Sequence, residues 1–180
     1  CSKKVIKKFG TIDVLINGSG INSPSEFFNI SEKEWNDILS VNLKGTMFCC
    51  QIFGKYMCKK KKGSIINISS VSSDPPLSKA FTYSVSKAAI KNLTQNLARE
   101  WAQSNVRVNS IKPGFFPTKW NLQNFITQKR KNAILNHTPM KRFGKPTELV
   151  GGFIWLASDA SVFVTGAEIT IDGGFSSCTI

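Results

Sequence analysis

Four short runs rich in β-branched and aliphatic residues punctuate this chain: TIDVLING, GSIINISS, VRVNSIKPG and EITIDGG. Apolar runs of this length, each closed by small or polar residues, read as strands buried on both faces. Between them the hydrophobic period changes to that of a helix. Ser31 opens SEKEW with Glu34 at the capping-box spacing, and the helical pattern continues through Asn42 toward Met57. Tyr83 to Gln103 sets Ala89, Leu93, Leu97 and Trp101 along one face. Pro146 to Ala157 reads as another helix, with Pro and Glu in its first turn. This alternation predicts one α/β domain over residues 1–180, a parallel sheet joined by helical crossovers. Ligands of such sheets gather beyond the carboxyl ends of the strands. Here those ends are Asn17-Gly18-Ser19-Gly20, Ser69-Ser70, Pro113-Gly114 and Asp172-Gly173-Gly174.

Composition narrows the alternatives. With 41% hydrophobic and 19% charged residues in 180, the chain can bury one sizeable core. No stretch stays apolar over the ~18 residues that cross a bilayer. The start, CSKKVIKKFG, has neither an initiator Met nor an apolar signal core, and reads as a fragment or processed chain entering inside a helix. Cys1, Cys49, Cys50, Cys58 and Cys178 are odd in number and show no C-x-x-C spacing. They fit reduced thiols of a cytoplasmic protein rather than a disulfide framework or a metal site. The N-x-S/T matches at Asn17, Asn29, Asn67, Asn92 and Asn136 reflect an Asn- and Ser-rich composition. The net charge of +13 admits anionic partners. Its one dense run, Lys59 to Lys62 before Gly63, predicts a helix C-terminus with cations on the dipole and glycine at C′. No basic-aromatic alternation points to nucleic acid, and no membrane partner is expected.

The chemistry concentrates in AFTYSVSKAAI. Tyr83 and Lys87 stand at i and i+4, on one helix face and about 6 Å apart along its axis. An ammonium there would favour the phenolate and pull the tyrosine pKa down toward working pH. Ser70, at the end of the preceding strand, could meet the phenol at the rim, and the amide of Asn42 could hold a water. A Tyr-x-x-x-Lys pair alone is weak, since chance pairs on helix faces are common. Joined to a strand-end serine and a strand-end N-G-S-G, it reads as catalytic.

In that combination the chain resembles the short-chain dehydrogenase/reductase family. The matching motifs are INGSG (Ile16 to Gly20), SVNLKG (Ser40 to Gly45), IINISS (Ile65 to Ser70), YSVSK (Tyr83 to Lys87), RVNSIKPGFFPT (Arg107 to Thr118) and TGAEITIDGG (Thr165 to Gly174). The resemblance implies a Rossmann-type three-layer sandwich, NAD or NADP as cofactor, an alcohol or carbonyl substrate and a homodimer or homotetramer. It implies that Tyr83 exchanges the proton, Ser70 bonds the substrate oxygen, Lys87 binds the nicotinamide ribose and acidifies Tyr83, and Asn42 anchors a relay water. Asn17, Gly18 and Gly20 would flank the adenosine-ribose side, with Pro113, Gly114 and Thr118 at the carboxamide end. Two departures stand out. Gly18 replaces a residue whose side chain usually fixes neighbouring loops. The family's Gly-rich first turn and further strands would precede Cys1, which would leave TIDVLING an unpaired apolar edge and the isolated chain prone to associate.

The segment Phe115 to Lys145 falls where this family places its substrate loop, and holds Phe116, Trp120, Asn121, His137, Met140 and Arg142. His137, the only histidine, reads more readily as a structural residue. The wording PGFFPT followed by HTPMKRFGKPTEL resembles the sugar-acid branch, of D-mannonate oxidoreductase or fructuronate reductase type, in which Arg142 or a nearby lysine would pair with a substrate carboxylate. A 3-oxoacyl thioester reductase or an inactive scaffold are the alternatives.

Overall fold

The computed structural model describes residues 2–74, 77–118, 121–122 and 126–178. Four strands, β1 (Val14–Asn17), β2 (Gly63–Ile68), β3 (Val106–Pro113) and β4 (Glu168–Ile171), form one sheet in chain order. All three pairings are parallel, with Ile16 opposite Ile66, Ile65 opposite Val108 and Ile111 opposite Ile169. The helices are α1 (Ser2–Phe9), α2 (Glu32–Leu39), α3 (Gly45–Lys60), α4 (Phe81–Trp101), α5 (Gln128–His137) and α6 (Val150–Ala157).

Successive strand residues face opposite ways, so β2 supplies both halves of the core. Ile65 packs with Met57, Ala98 and Val108 on the side of α1, α3 and α4. Ile66 packs with Ile111 and Leu156 on the side of α6. The result is the expected three-layer α/β/α sandwich. At the edge of the sheet, β1 leaves Val14 and Ile16 exposed, as the sequence led us to expect.

Three local expectations are corrected. The helix from Ser31 toward Met57 is interrupted by a π-helical turn at Ser40–Lys44, where the Gly45 N–H reaches back to the Ser40 carbonyl. Only half of the capping box forms: Ser31 accepts from the Glu34 N–H, while the Glu34 carboxylate accepts from Ser25. At the end of α3 the left-handed residue is Lys61, at φ 52°, not a glycine. Gly63 instead opens β2, where a Cβ would stand 2.6 Å from the Met57 sulfur. On α4 the fully buried stripe is Thr82, Ser86, Lys87, Ile90, Thr94 and Ala98. Ala89, Leu93, Leu97 and Trp101 lie half-buried beside it. The hydrophobic pattern misses this stripe because most of its polar members are hydrogen-bonded: Thr94 donates to the Ile90 carbonyl, Ser86 to that of Tyr83 and Lys87 to that of Ile68, while the buried Thr82 hydroxyl has no partner among the described residues.

Candidate active site

The strand ends place a serine, a tyrosine and a lysine together. Ser70 follows β2, and its Oγ accepts from both the N–H and the hydroxyl of Ser72, at 3.2 and 3.1 Å. The Tyr83 phenol lies within hydrogen-bonding reach of this serine. The short turn after Ser70 is tied down by Asp74, which accepts from Lys91 of α4 at 2.8 Å and from Lys112 of β3 at 2.6 Å. These two cations hold the Asp74 carboxyl below its ordinary range.

Lys87 projects inward from α4 and is 5% exposed. Its Nζ donates to the Ile68 carbonyl at 2.8 Å, and sits 5.5 Å from the centroid of the Tyr83 ring. One N–H of three is thus spent in the chain. Gly20 faces the same ammonium: a Cβ there would lie 3.6 Å from Nζ and 3.4 Å from the Asn42 amide oxygen. Asn42, buried in the π-helical turn, bonds the Ile21 N–H at 2.8 Å, the Ile21 carbonyl at 3.0 Å and the Ser86 hydroxyl at 3.0 Å. The extra residue of the π turn aims this amide across to the loop after β1. Both amide hydrogens are committed to that loop and to α4, and neither is left for a water.

Electrostatically the site departs from the expected pattern. The Tyr83 pKa is raised rather than lowered, because burial penalises the phenolate more than the Ser70 hydrogen bond favours it. The same burial lowers the Lys87 pKa from 10.5 to about 8. Desolvation, not the neighbouring charge, sets the direction of both shifts.

Ser70, Tyr83, Gly20 and Gly114 line one cavity of about 560 Å³ at the carboxyl rim of the sheet. Of the other predicted residues, Lys87 and Asn42 do not line it but lie against Gly20, which does, and the rest lie elsewhere. Asn17 turns inward, donating to the Asn67 amide oxygen at 2.9 Å, and Asn67 in turn donates to Thr94. Its amide is a structural tie, not a wall of the cavity. Asn67 is fully buried, which rules out a glycan there. Gly18 is exposed, and a Cβ there would touch nothing. The Pro113 carbonyl side belongs to the sheet. Gly114 is required by β4: a Cβ would lie 2.7 Å from the Asp172 Cα. Thr118 is exposed and spends both its N–H and hydroxyl on the Asn121 side chain, at 3.0 and 2.6 Å.

The substrate-loop residues separate as well. Phe116 stands between this cavity and a smaller one of about 130 Å³ that Met140 and Arg142 line. Gly144 makes room for its ring, since a Cβ there would lie 2.2 Å from it. Arg142 is not free for a substrate carboxylate. It forks onto Glu148 through two bonds of 2.7 Å, which drive the Glu148 pKa down to about 2. His137 packs edge-on against Phe175 at 4.5 Å and lies away from the tyrosine. Trp120 and Cys1 lie outside the described residues. Sequence reasoning missed Lys79 and Arg130, the two cations that do line the tyrosine's cavity. Lys79 precedes α4 in a left-handed conformation, so no helical spacing pointed to it.

No cluster of metal-binding side chains occurs among the described residues, and no disulfide joins the described cysteines. Among the same residues no helix is long and apolar enough to cross a membrane. A family profile described as enoyl-(acyl carrier protein) reductase matches residues 1–176. The chain is 40% identical to the uncharacterized oxidoreductase UxuB of Bacillus subtilis, across 95% of this chain and 69% of that protein. It is 39% identical to a 3-oxoacyl-[acyl-carrier-protein] reductase of Thermotoga maritima, across 96% of this chain and 69% of the relative. Among solved structures, a gluconate 5-dehydrogenase from Burkholderia cenocepacia in complex with NADP and tartrate superposes with a TM-score of 0.94 at 31% identity. That likeness covers 98% of this chain and 69% of the other.

Proposed function

The chain belongs to the short-chain dehydrogenase/reductase family, and from that premise we propose that it interconverts a secondary alcohol and a ketone on a sugar acid, with NAD or NADP as hydride partner. The observation that carries this reading is that Ser70 and Tyr83 line one cavity, with the Lys87 ammonium 5.5 Å from the centroid of the tyrosine ring. The residues fit the nicotinamide-ribose end of such a cofactor. Lys87 keeps two N–H bonds for ribose hydroxyls, and the missing side chain of Gly20 opens the approach to them.

A bound NAD or NADP would supply the hydride acceptor for an alcohol and the hydride donor for a carbonyl. In oxidation the Tyr83 phenolate accepts the alcohol proton. In reduction the phenol gives the proton back to the developing alkoxide. Ser70 donates its proton to whichever oxygen carries the charge, phenolate or substrate. Lys87 stabilises the phenolate by its charge. Asn42 is a positioning residue, holding the loop of Gly20 and Ile21 against α4. A relay water at Asn42 would use its backbone carbonyl or the remaining lone pair of its amide oxygen.

A sugar acid is favoured over a thioester by the two cations in the cavity wall, Lys79 and Arg130, and by the gluconate 5-dehydrogenase likeness. The Thermotoga relative supports the 3-oxoacyl reductase as second reading. Nicotinamide absorbance decides between them. D-gluconate with NADP+, or D-fructuronate with NADPH, is expected to turn over, whereas turnover of acetoacetyl-coenzyme A alone would replace the sugar-acid reading. A cytoplasmic homodimer or homotetramer completes the proposal, its contact face being the half-buried stripe of Leu39, Leu43, Met47 and Leu93 on α2 to α4.

A further inference from the structure

Among the described residues, the wall of the cavity that holds Tyr83 and Ser70 has two basic residues and no carboxylate. Both are almost unoccupied. Arg130, in the first turn of α5, offers five N–H donors and uses one, a long 3.4 Å contact to the Ser78 carbonyl. Among the described residues it meets no acid. Lys79 makes a solvent-exposed contact of 3.4 Å with Glu26, the kind of pair that contributes little. The two cations are neighbours by construction, because the carbonyl that Arg130 touches belongs to the residue just before Lys79.

The backbone holds them there at some cost. Lys79 adopts φ 55°, a left-handed conformation unfavourable for any residue but glycine. Thr127 caps α5 by accepting the Arg130 N–H at 3.2 Å, which fixes where the guanidinium leaves the helix. The contrast with Arg142 is informative: that guanidinium is saturated by Glu148, whereas this one is kept open on the side of the reacting hydroxyls.

We propose that Lys79 and Arg130 form the carboxylate-binding end of the substrate cavity, so that a hydroxy or keto acid is held with its carboxylate between them and its reacting carbon at Tyr83 and Ser70. This inference rests on the sugar-acid reading above and names the residues that impose it. An anion in this position accepts a planar fork from Arg130 and a point charge from Lys79, bonds that a neutral sugar cannot replace.

The test is equilibrium binding, measured calorimetrically with saturating NADP+ and without it, of D-gluconate and of its uncharged analogue D-gluconamide. Gluconate is expected to bind more tightly than gluconamide. Arg130→Gln and Lys79→Gln should each weaken gluconate by roughly 10- to 100-fold, with gluconamide unmoved and Arg130→Lys in between. Equal binding of the two probes, or an unchanged gluconate affinity in both Gln variants, overturns the proposal. So does acetoacetyl-coenzyme A depending on Lys79 and Arg130 when gluconate does not. Because binding is read without turnover, charge-dependent gluconate binding in a protein that fails to oxidise it would retain this inference and reject the proposed reaction.

Discussion

Lys87 is the residue whose burial has the largest consequence. Its ammonium sits where water cannot solvate it, and its pKa falls from 10.5 to about 8. Between those values the unfolded chain binds more protons than the folded one, so stability rises with pH from about 8 to 10.5 and the penalty is complete below 8. The shift corresponds to a penalty on the order of 3 kcal/mol. Lys87→Met is therefore expected to raise the melting temperature at pH 7, to raise it less near pH 10, and to abolish turnover. Melts at the two pH values check this, and a lower melting temperature at pH 7 would contradict it. The reductive direction needs a protonated Tyr83 beside a charged Lys87, so its rate should fall as pH rises through about 8. The sequence placed these two residues on one helix face but had the sign of the phenol's shift wrong. Spacing along a helix reports proximity, whereas desolvation depends on what the rest of the fold lays over the pair.

At the scale of elements, one glycine and one asparagine fix the geometry of the rim. Gly114 lets β3 end against β4, and the atom that a Cβ would strike is the Asp172 backbone at 2.7 Å, which cannot swing aside. Gly114→Ala should destabilise by about 1–3 kcal/mol, seen in a denaturant midpoint shift, even with no ligand present. Gly18→Ala, which meets nothing within 4 Å, should be neutral in the same measurement. Asn42→Ala removes the ties to Ile21 and Ser86, and is expected to lower kcat/KM by roughly 10-fold or more while the Ser70 turn, held separately by Asp74, stays in place. Strand positions, the long α4 helix and the rim were legible because apolar period and turn residues report them directly. The π turn at Ser40–Lys44 was not, since no Gly or Pro marks it; it follows from hydrogen bonds that Asn42 makes with residues far away in sequence. Arg142 misled for the mirror reason, its partner Glu148 standing on the next element.

For the molecule as a whole, the sheet ends on β1 with Val14 and Ile16 exposed on an unpaired parallel edge, and the chain spans 69% of the length of the relatives it matches. An apolar edge of that kind recruits other strands. The 180-residue chain is expected to associate with rising concentration, and Ile16→Lys to suppress that association, as sedimentation velocity would show; a concentration-independent monomer would contradict it. The edge was an expectation of the family resemblance, which puts further strands beside TIDVLING; the apolar run by itself read as a buried strand, whereas Val14 and Ile16 are exposed.

The account depends above all on the Tyr83 hydroxyl exchanging a proton with substrate beside Ser70. Tyr83→Phe removes that oxygen alone. It should reduce NADP+-dependent oxidation of D-gluconate by roughly 10²- to 10⁴-fold, with the melting temperature and gluconate affinity preserved. Oxidation within a few-fold of the unsubstituted protein would contradict it.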